Sequence, residues 1–187
     1  TFAPGKVVLF GEHSTVYGHP GITAAINIGL RVNISHDNDG PRFLLPKFKQ
    51  LFDLGQPDID MQLFSQATNE ALEMFGLRDA PIAVQIESAL VPGMGLGSSA
   101  AFSAALCRAL RVYANKETQQ KWDQGLFDEV QRLESIFHGQ PSGMDAATVL
   151  SGGVLWFRAG PPQEMLPLRM PEPLTGAVCI VEPGART

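Results

Sequence analysis

The sequence predicts an α+β domain: a mixed sheet with helices packed against one face. Three observations predict it. Strand-like runs and helix-period segments follow one another as β-β-α-β-α-α-β-β, without the strict alternation of a doubly wound fold. Residues 100–114 are apolar nearly all round, which places a helix at the centre of a packed layer. The chain has 187 residues and is 44% hydrophobic, enough for one core with at most a small appendage.

The elements follow in order. Lys6 to Phe10 is a short apolar run between Gly5 and Gly11 and suits a buried strand. Residues 22–35, rich in β-branched side chains, read as one long strand or a pair. From Asp37 to Gln56 the chain is polar and broken by Gly and Pro, and reads as loop with a short irregular element. Residues 61–75 form an amphipathic helix. Met61, Leu63, Phe64, Ala67, Ala71, Leu72, Met74 and Phe75 share its apolar half, and Gln62, Ser65, Gln66, Asn69, Glu70 and Glu73 its polar half. Residues 82–91 alternate as a strand. In the central helix 100–114 only Ser103, Arg108 and Arg111 make a polar strip. A third helix, 126–137, carries Leu126, Val130, Leu133 and Phe137 on one stripe and stops at Gly139. Strands at 153–158 and 176–182 complete the set. There is no internal repeat and no low-complexity segment.

Composition narrows the function classes. Net charge is −5 with pI near 5.3, and no run of Lys or Arg occurs, which argues against nucleic acid and anionic membrane surfaces as partners. No apolar stretch approaches the roughly 20 residues of a membrane span, and no secretory leader opens the chain. Cys107 and Cys179 lie far apart in apolar segments and read as small core residues of a reduced compartment. A soluble, cytoplasmic protein is expected.

Val91-Pro92-Gly93-Met94-Gly95-Leu96-Gly97-Ser98-Ser99-Ala100-Ala101 is the most informative segment. It joins a strand to the buried helix. Its glycines let the backbone approach a ligand, and its serines stand beside the unpaired N–H groups and positive dipole end of a helix start. That combination is an anion site. It lacks the Lys of a P-loop, and its third glycine comes one residue early for a dinucleotide fingerprint. A plain structural turn is the other reading.

Two more segments stand out. His138-Gly139-Gln140-Pro141-Ser142-Gly143-Met144-Asp145, followed by Gly152-Gly153, fixes a tight path in which Ser142 can cap a short helix carrying Asp145. A carboxylate held there suits general-base work; an ordinary acid in a helix first turn is the alternative. Upstream, Glu134 flanks an apolar stripe, where it is either a boundary residue or, beside a bound triphosphate, a ligand for Mg²⁺. Near the start, Ala3-Pro4-Gly5-Lys6 leads through the first strand to Gly11-Glu12-His13. A lysine at a buried strand entry needs a partner, whereas on a surface strand it would snorkel to water.

Together these segments resemble the GHMP kinase superfamily, and among its branches they fit the mevalonate kinases best. The first family motif matches Pro4 to Gly18, the second Pro92 to Ala101, and the catalytic loop His138 to Asp145 with Gly152-Gly153. The resemblance implies an N-terminal domain like the second domain of ribosomal protein S5, and an ATP- and Mg²⁺-dependent kinase acting on the hydroxyl of mevalonate in isoprenoid precursor synthesis. It implies that Pro92, Gly93, Gly95, Leu96, Gly97, Ser98, Ser99 and Ala100 cradle ATP, and that Ser99 and Glu134 hold Mg²⁺. It further implies Asp145 as base, Lys6 beside it, and Glu12 and His13 facing the acceptor together with Lys6 and Asp145. Thr15 stands where galactokinases carry an acid for sugar hydroxyls, and His13 where phosphomevalonate kinases carry an aromatic residue. The alternatives are another small hydroxy acid or sugar as acceptor, or a non-catalytic nucleotide-binding module. A homodimer is compatible with the family. Residues 182–187 fit the substrate-contacting stretch of mevalonate kinases only loosely, and the third family motif does not occur. Residues 1–187 are therefore expected to form the N-terminal ATP-binding domain, with a C-terminal domain beyond Thr187.

Overall fold

The computed structural model describes residues 1–12, 14–38, 40–45, 50–53, 62–115, 122–172 and 175–176. Strands β1 (Phe2–Phe10), β2 (Pro20–His36), β3 (Arg42–Leu45), β4 (Gln50–Asp53), β5 (Ile82–Ser88), β6 (Val154–Arg158) and β7 (Glu164–Leu168) form one seven-stranded sheet. Among the described residues four α-helices accompany it: α1 (Gln62–Met74), α2 (Ser98–Tyr113), α3 (Gln124–His138) and α4 (Met144–Ser151). The α+β class and the mixed sheet are as expected, since every pairing is antiparallel except β3 with β5.

The strand β2 organises the sheet because it is long enough to serve three partners. Thr23 faces Val8 of β1 and Leu155 of β6, while Leu30 faces Ala3 of β1 and Ser88 of β5. One strand edge thus receives β1, and the other is shared by β6 at its start and β5 at its end. Along β2, Leu30 and Val32 are buried while Arg31 and Asn33 are exposed, the alternation of a sheet covered on one face. On the covered face α2 lies over β1 and β2, and α4 over β1, β2 and β6. Helices α1 and α3 pack against α2. Phe64, Phe102 and Phe137, one from each of these three helices, meet edge to face with ring centroids 5.1–6.2 Å apart.

Several expectations need correction. The segment 37–56, read as loop, contains the β3–β4 hairpin, whose pairing depends on β5 and so leaves no local periodic signal. Strand β7, a segment to which no element was assigned, pairs with β6. The strand read over 82–91 ends at Ser88, where the Ser88 hydroxyl turns the chain by accepting from the Leu90 amide. On α1 the buried face is rotated: Ser65 and Thr68 are inside and Leu63 is exposed, because Phe64 fixes the helix on the aromatic cluster. The polar strip expected on α2 is largely buried as well. Ser103 is fully enclosed, and Arg111 lies between Asp123 and Glu129 of the α3 region. Apart from Gly176, the strand expected at 176–182, with Cys179, lies outside the described residues, as does the stretch 182–187. Among the described residues no helix is long and apolar enough to cross a membrane.

Candidate active site

The site is built where the start of α2, the end of α3 and the start of α4 meet β1. Lys6 supplies the first part. Its backbone N–H donates to the Leu96 carbonyl (2.9 Å), which lays the glycine loop along β1. Leu96 is itself buried in the core and anchors the loop, while Pro92, Gly93, Met94 and Gly95 stay exposed. Gly97 is required twice over. Its φ of +68° is left-handed, and a Cβ there would sit 2.7 Å from Cγ of Lys6. The lysine stem therefore runs over Gly97, and the side chain is only 9% exposed. At its end Nζ donates to Asp145 Oδ1 at 3.1 Å. The partner demanded by a buried lysine is thus the carboxylate singled out as a base.

Asp145 owes its place to the turn before it. Gly143 has φ +88°, and the Met144 amide donates to Ser142 Oγ (3.3 Å), so Asp145 falls in the first turn of α4. The helix is fastened to the sheet from below. Thr148 Oγ1 donates to the Met144 carbonyl (2.7 Å) and accepts from Thr23 Oγ1 of β2 (2.5 Å), all in the core.

Glu134 is the surprise of burial. A boundary glutamate on α3 was one reading, yet the residue is 1% exposed. It accepts from Ser99 Oγ at 3.2 Å and from Ser103 Oγ at 3.3 Å, both on α2. Burial, then the nearby charge of Asp145, pushes its carboxyl up to about 7, against the pull of the two serines and of Lys6. Helix α2 begins with no side-chain cap, so the first-turn N–H groups of Ser98, Ser99 and Ala100 face the same region. The structure thus brings together Lys6, Gly97, Ser98, Ser99, Ala100, Glu134 and Asp145. Glu12 is exposed beyond β1, and its carbonyl accepts from Thr15 Oγ1. His13 lies outside the described residues.

Two participants were given no site role by the sequence: Ser103, placed only in a polar strip, and His138, placed only as the first residue of the catalytic loop. The His138 Nε2 is 3.1 Å from Ser99 Oγ. The available signal was spacing: Ser99 and Ser103 on α2, and Glu134 and His138 on α3, are each one helical turn apart.

A family profile for the GHMP kinases N terminal domain matches residues 62–153, the span that holds the glycine loop, Glu134 and Asp145. The chain belongs to the GHMP kinase family. A mevalonate kinase of Archaeoglobus fulgidus is 35% identical over 153 residues, covering 81% of this chain and 50% of that one. The crystal structure of the Methanococcus jannaschii mevalonate kinase superposes with TM-score 0.76 at 22% identity, covering 91% of this chain and 55% of that one. A mevalonate kinase from methicillin-resistant Staphylococcus aureus MRSA252 gives TM-score 0.65 at 31% identity, covering 88% and 53%. The chain spans about half the length of the relatives it matches. A GHMP kinase N-terminal fold is what the strand order and helices described above make.

Proposed function

We propose that this chain carries the nucleotide-binding and proton-accepting machinery of an ATP-dependent kinase that phosphorylates the hydroxyl of mevalonate. The observation that carries the reading is the Lys6–Asp145 pair at 3.1 Å, set beside the uncapped start of α2 and its glycine loop. Helix N–H groups and left-handed glycines favour a polyphosphate there. The identity to an archaeal mevalonate kinase favours mevalonate as acceptor, and makes isoprenoid precursor synthesis the setting.

In this reading the Asp145 carboxylate receives the proton of the attacking hydroxyl. Lys6 holds Asp145 in place through their ion pair and offers positive charge to the transferring group. Phosphoryl transfer passes through a loose transition state, so most of the rate comes from holding donor and acceptor in line. The buried loop residues Leu96 and Gly97 contribute rigidity rather than chemistry.

The donor set also fits a hard divalent cation. Glu134 is a buried carboxylate with two hydroxyls around it, and no Lys or Arg among the described residues is ion-paired to it. Ser99 and Glu134 would hold Mg²⁺, which neutralises charge on the phosphate oxygens.

The test is Asp145→Asn in the full-length protein, assayed for ADP release with Mg·ATP and mevalonate. The variant keeps the shape of the side chain but cannot take the proton. We expect kcat to fall about 10²–10⁴-fold, roughly 3–5 kcal/mol of barrier, while ATP affinity changes little. A variant with near-parental kcat removes Asp145 as base. A parent enzyme that turns over a different hydroxy acid or a sugar, but not mevalonate, moves the acceptor assignment within the family.

A further inference from the structure

Helices α2 and α3 pack antiparallel: Arg111 near the end of α2 binds Asp123 and Glu129 at the start of α3, and Ser99 at the start of α2 meets the end of α3. This arrangement sets the pair Ser99/Ser103 against the pair Glu134/His138. Ser103 Oγ takes Glu134 Oε1, and Ser99 Oγ lies between Glu134 Oε2 at 3.2 Å and His138 Nε2 at 3.1 Å. The Phe137 ring beside His138 is locked into the aromatic cluster, so the end of α3 is held in place.

A serine hydroxyl has one proton, so Ser99 cannot donate to Glu134 and His138 together. Directed at Glu134, the proton leaves Ser99 with only lone pairs for His138. A cation that engages both Ser99 and Glu134 removes that option, since the carboxylate oxygen then serves the cation. The Ser99 proton needs another acceptor. Among the described residues, the other side-chain atom that is hydrogen-bonded to Ser99 Oγ is His138 Nε2.

We propose that His138 is a positioning residue of the metal site: its Nε2 accepts the Ser99 hydroxyl and thereby turns a Ser99 lone pair toward the cation. Acceptance at Nε2 requires the tautomer with the ring proton on Nδ1. The inference rests on the kinase reading, which supplies the cation. Partners that orient a metal's ligands typically contribute 10–100-fold to its affinity.

The experiment is a Mn²⁺ titration followed by electron paramagnetic resonance, on the protein loaded with a non-hydrolysable ATP analogue. The variants are His138→Leu, which keeps bulk without an acceptor, His138→Gln, whose amide oxygen can stand near Nε2, and Glu134→Gln as reference. Expected is a Mn²⁺ affinity about 10–100-fold weaker in His138→Leu and recovered to within about threefold in His138→Gln. The melting temperature of the two His138 variants, and their metal-free affinity for the analogue, should match the parent. The proposal is overturned if His138→Leu binds Mn²⁺ like the parent while Glu134→Gln does not. Equal losses in Leu and Gln overturn it too, because the lost function is then not hydrogen-bond acceptance. A weaker metal-free affinity for the analogue would instead make His138 a phosphate contact. If Glu134→Gln also leaves Mn²⁺ binding untouched, the metal reading itself fails and the inference with it.

Discussion

Glu134 and Gly97 show how single residues set this site. Gly97 lets the lysine stem pass over the loop, and with it delivers Nζ to Asp145. Glu134 has the opposite character, a group that costs the fold something. Its carboxyl rises from an ordinary 4.5 to about 7, chiefly through burial. In the metal-free protein the folded state therefore holds this proton more tightly than the unfolded state. Stability from this group is fullest below about pH 4.5, declines as pH climbs toward 7, and is flat beyond. Across that window the loss is on the order of 3 kcal/mol. Glu134→Gln should remove the decline and, above pH 7 without metal, should melt higher than the parent. Parallel melting curves for the two proteins between pH 5 and 8 would show that Glu134 is not strained by burial. A buried carboxylate that is destabilising when empty is a natural resident of a cation site.

At the scale of elements, α3 matters most, because it carries Glu134 and His138 and is fixed at its beginning. Asp123 is its N-cap, accepting from the amides of Gly125 (2.8 Å) and Leu126 (3.4 Å). The same carboxylate binds Arg111, whose guanidinium holds it below the usual carboxylate range. Arg111 in turn is nearly enclosed and keeps Glu129 as a second partner at 2.8 Å. Asp123→Ala removes the cap and one of two counter-charges, so a loss of roughly 1–3 kcal/mol is expected in urea unfolding. Asp123→Asn retains a capping oxygen and should recover about half or more of it. Equal losses in the two variants would assign the effect to the ion pair alone.

Across the whole molecule, the sheet and the helical layer are joined through α2, and Phe102 lies at that junction. The ring is fully buried and stacks edge to face on Phe64 of α1 and Phe137 of α3. It neighbours Ser103, so the same packing that holds three helices together also sets the serine against Glu134. Phe102→Ala should cost about 3–5 kcal/mol, read as a lower denaturant midpoint at similar slope. A loss under about 1 kcal/mol would mean the three helices are held by other contacts.

The sequence by itself determined the class of fold, the glycine loop, and the residues from which a kinase site could be assembled. These are local matters: helical and strand periods, left-handed glycines, and a helix start with serines are written in neighbouring residues. Lys6, Ser99, Glu134 and Asp145 were each legible as candidates because their types and flanks were unusual. Only the tertiary structure decided which of the open readings held. Lys6 is buried on Asp145 rather than snorkelling, because the Leu96 carbonyl and Gly97 bring the loop over β1. Glu134 is interior rather than at the boundary, because α2 covers it with Ser99 and Ser103. The β3–β4 hairpin escaped the sequence because β3 takes its place from β5, distant in the chain, and β7 because a short edge strand takes its conformation from the strand it pairs with. Burial and pairing are properties of two segments at once, and a periodicity within one segment carries no record of what will lie against it.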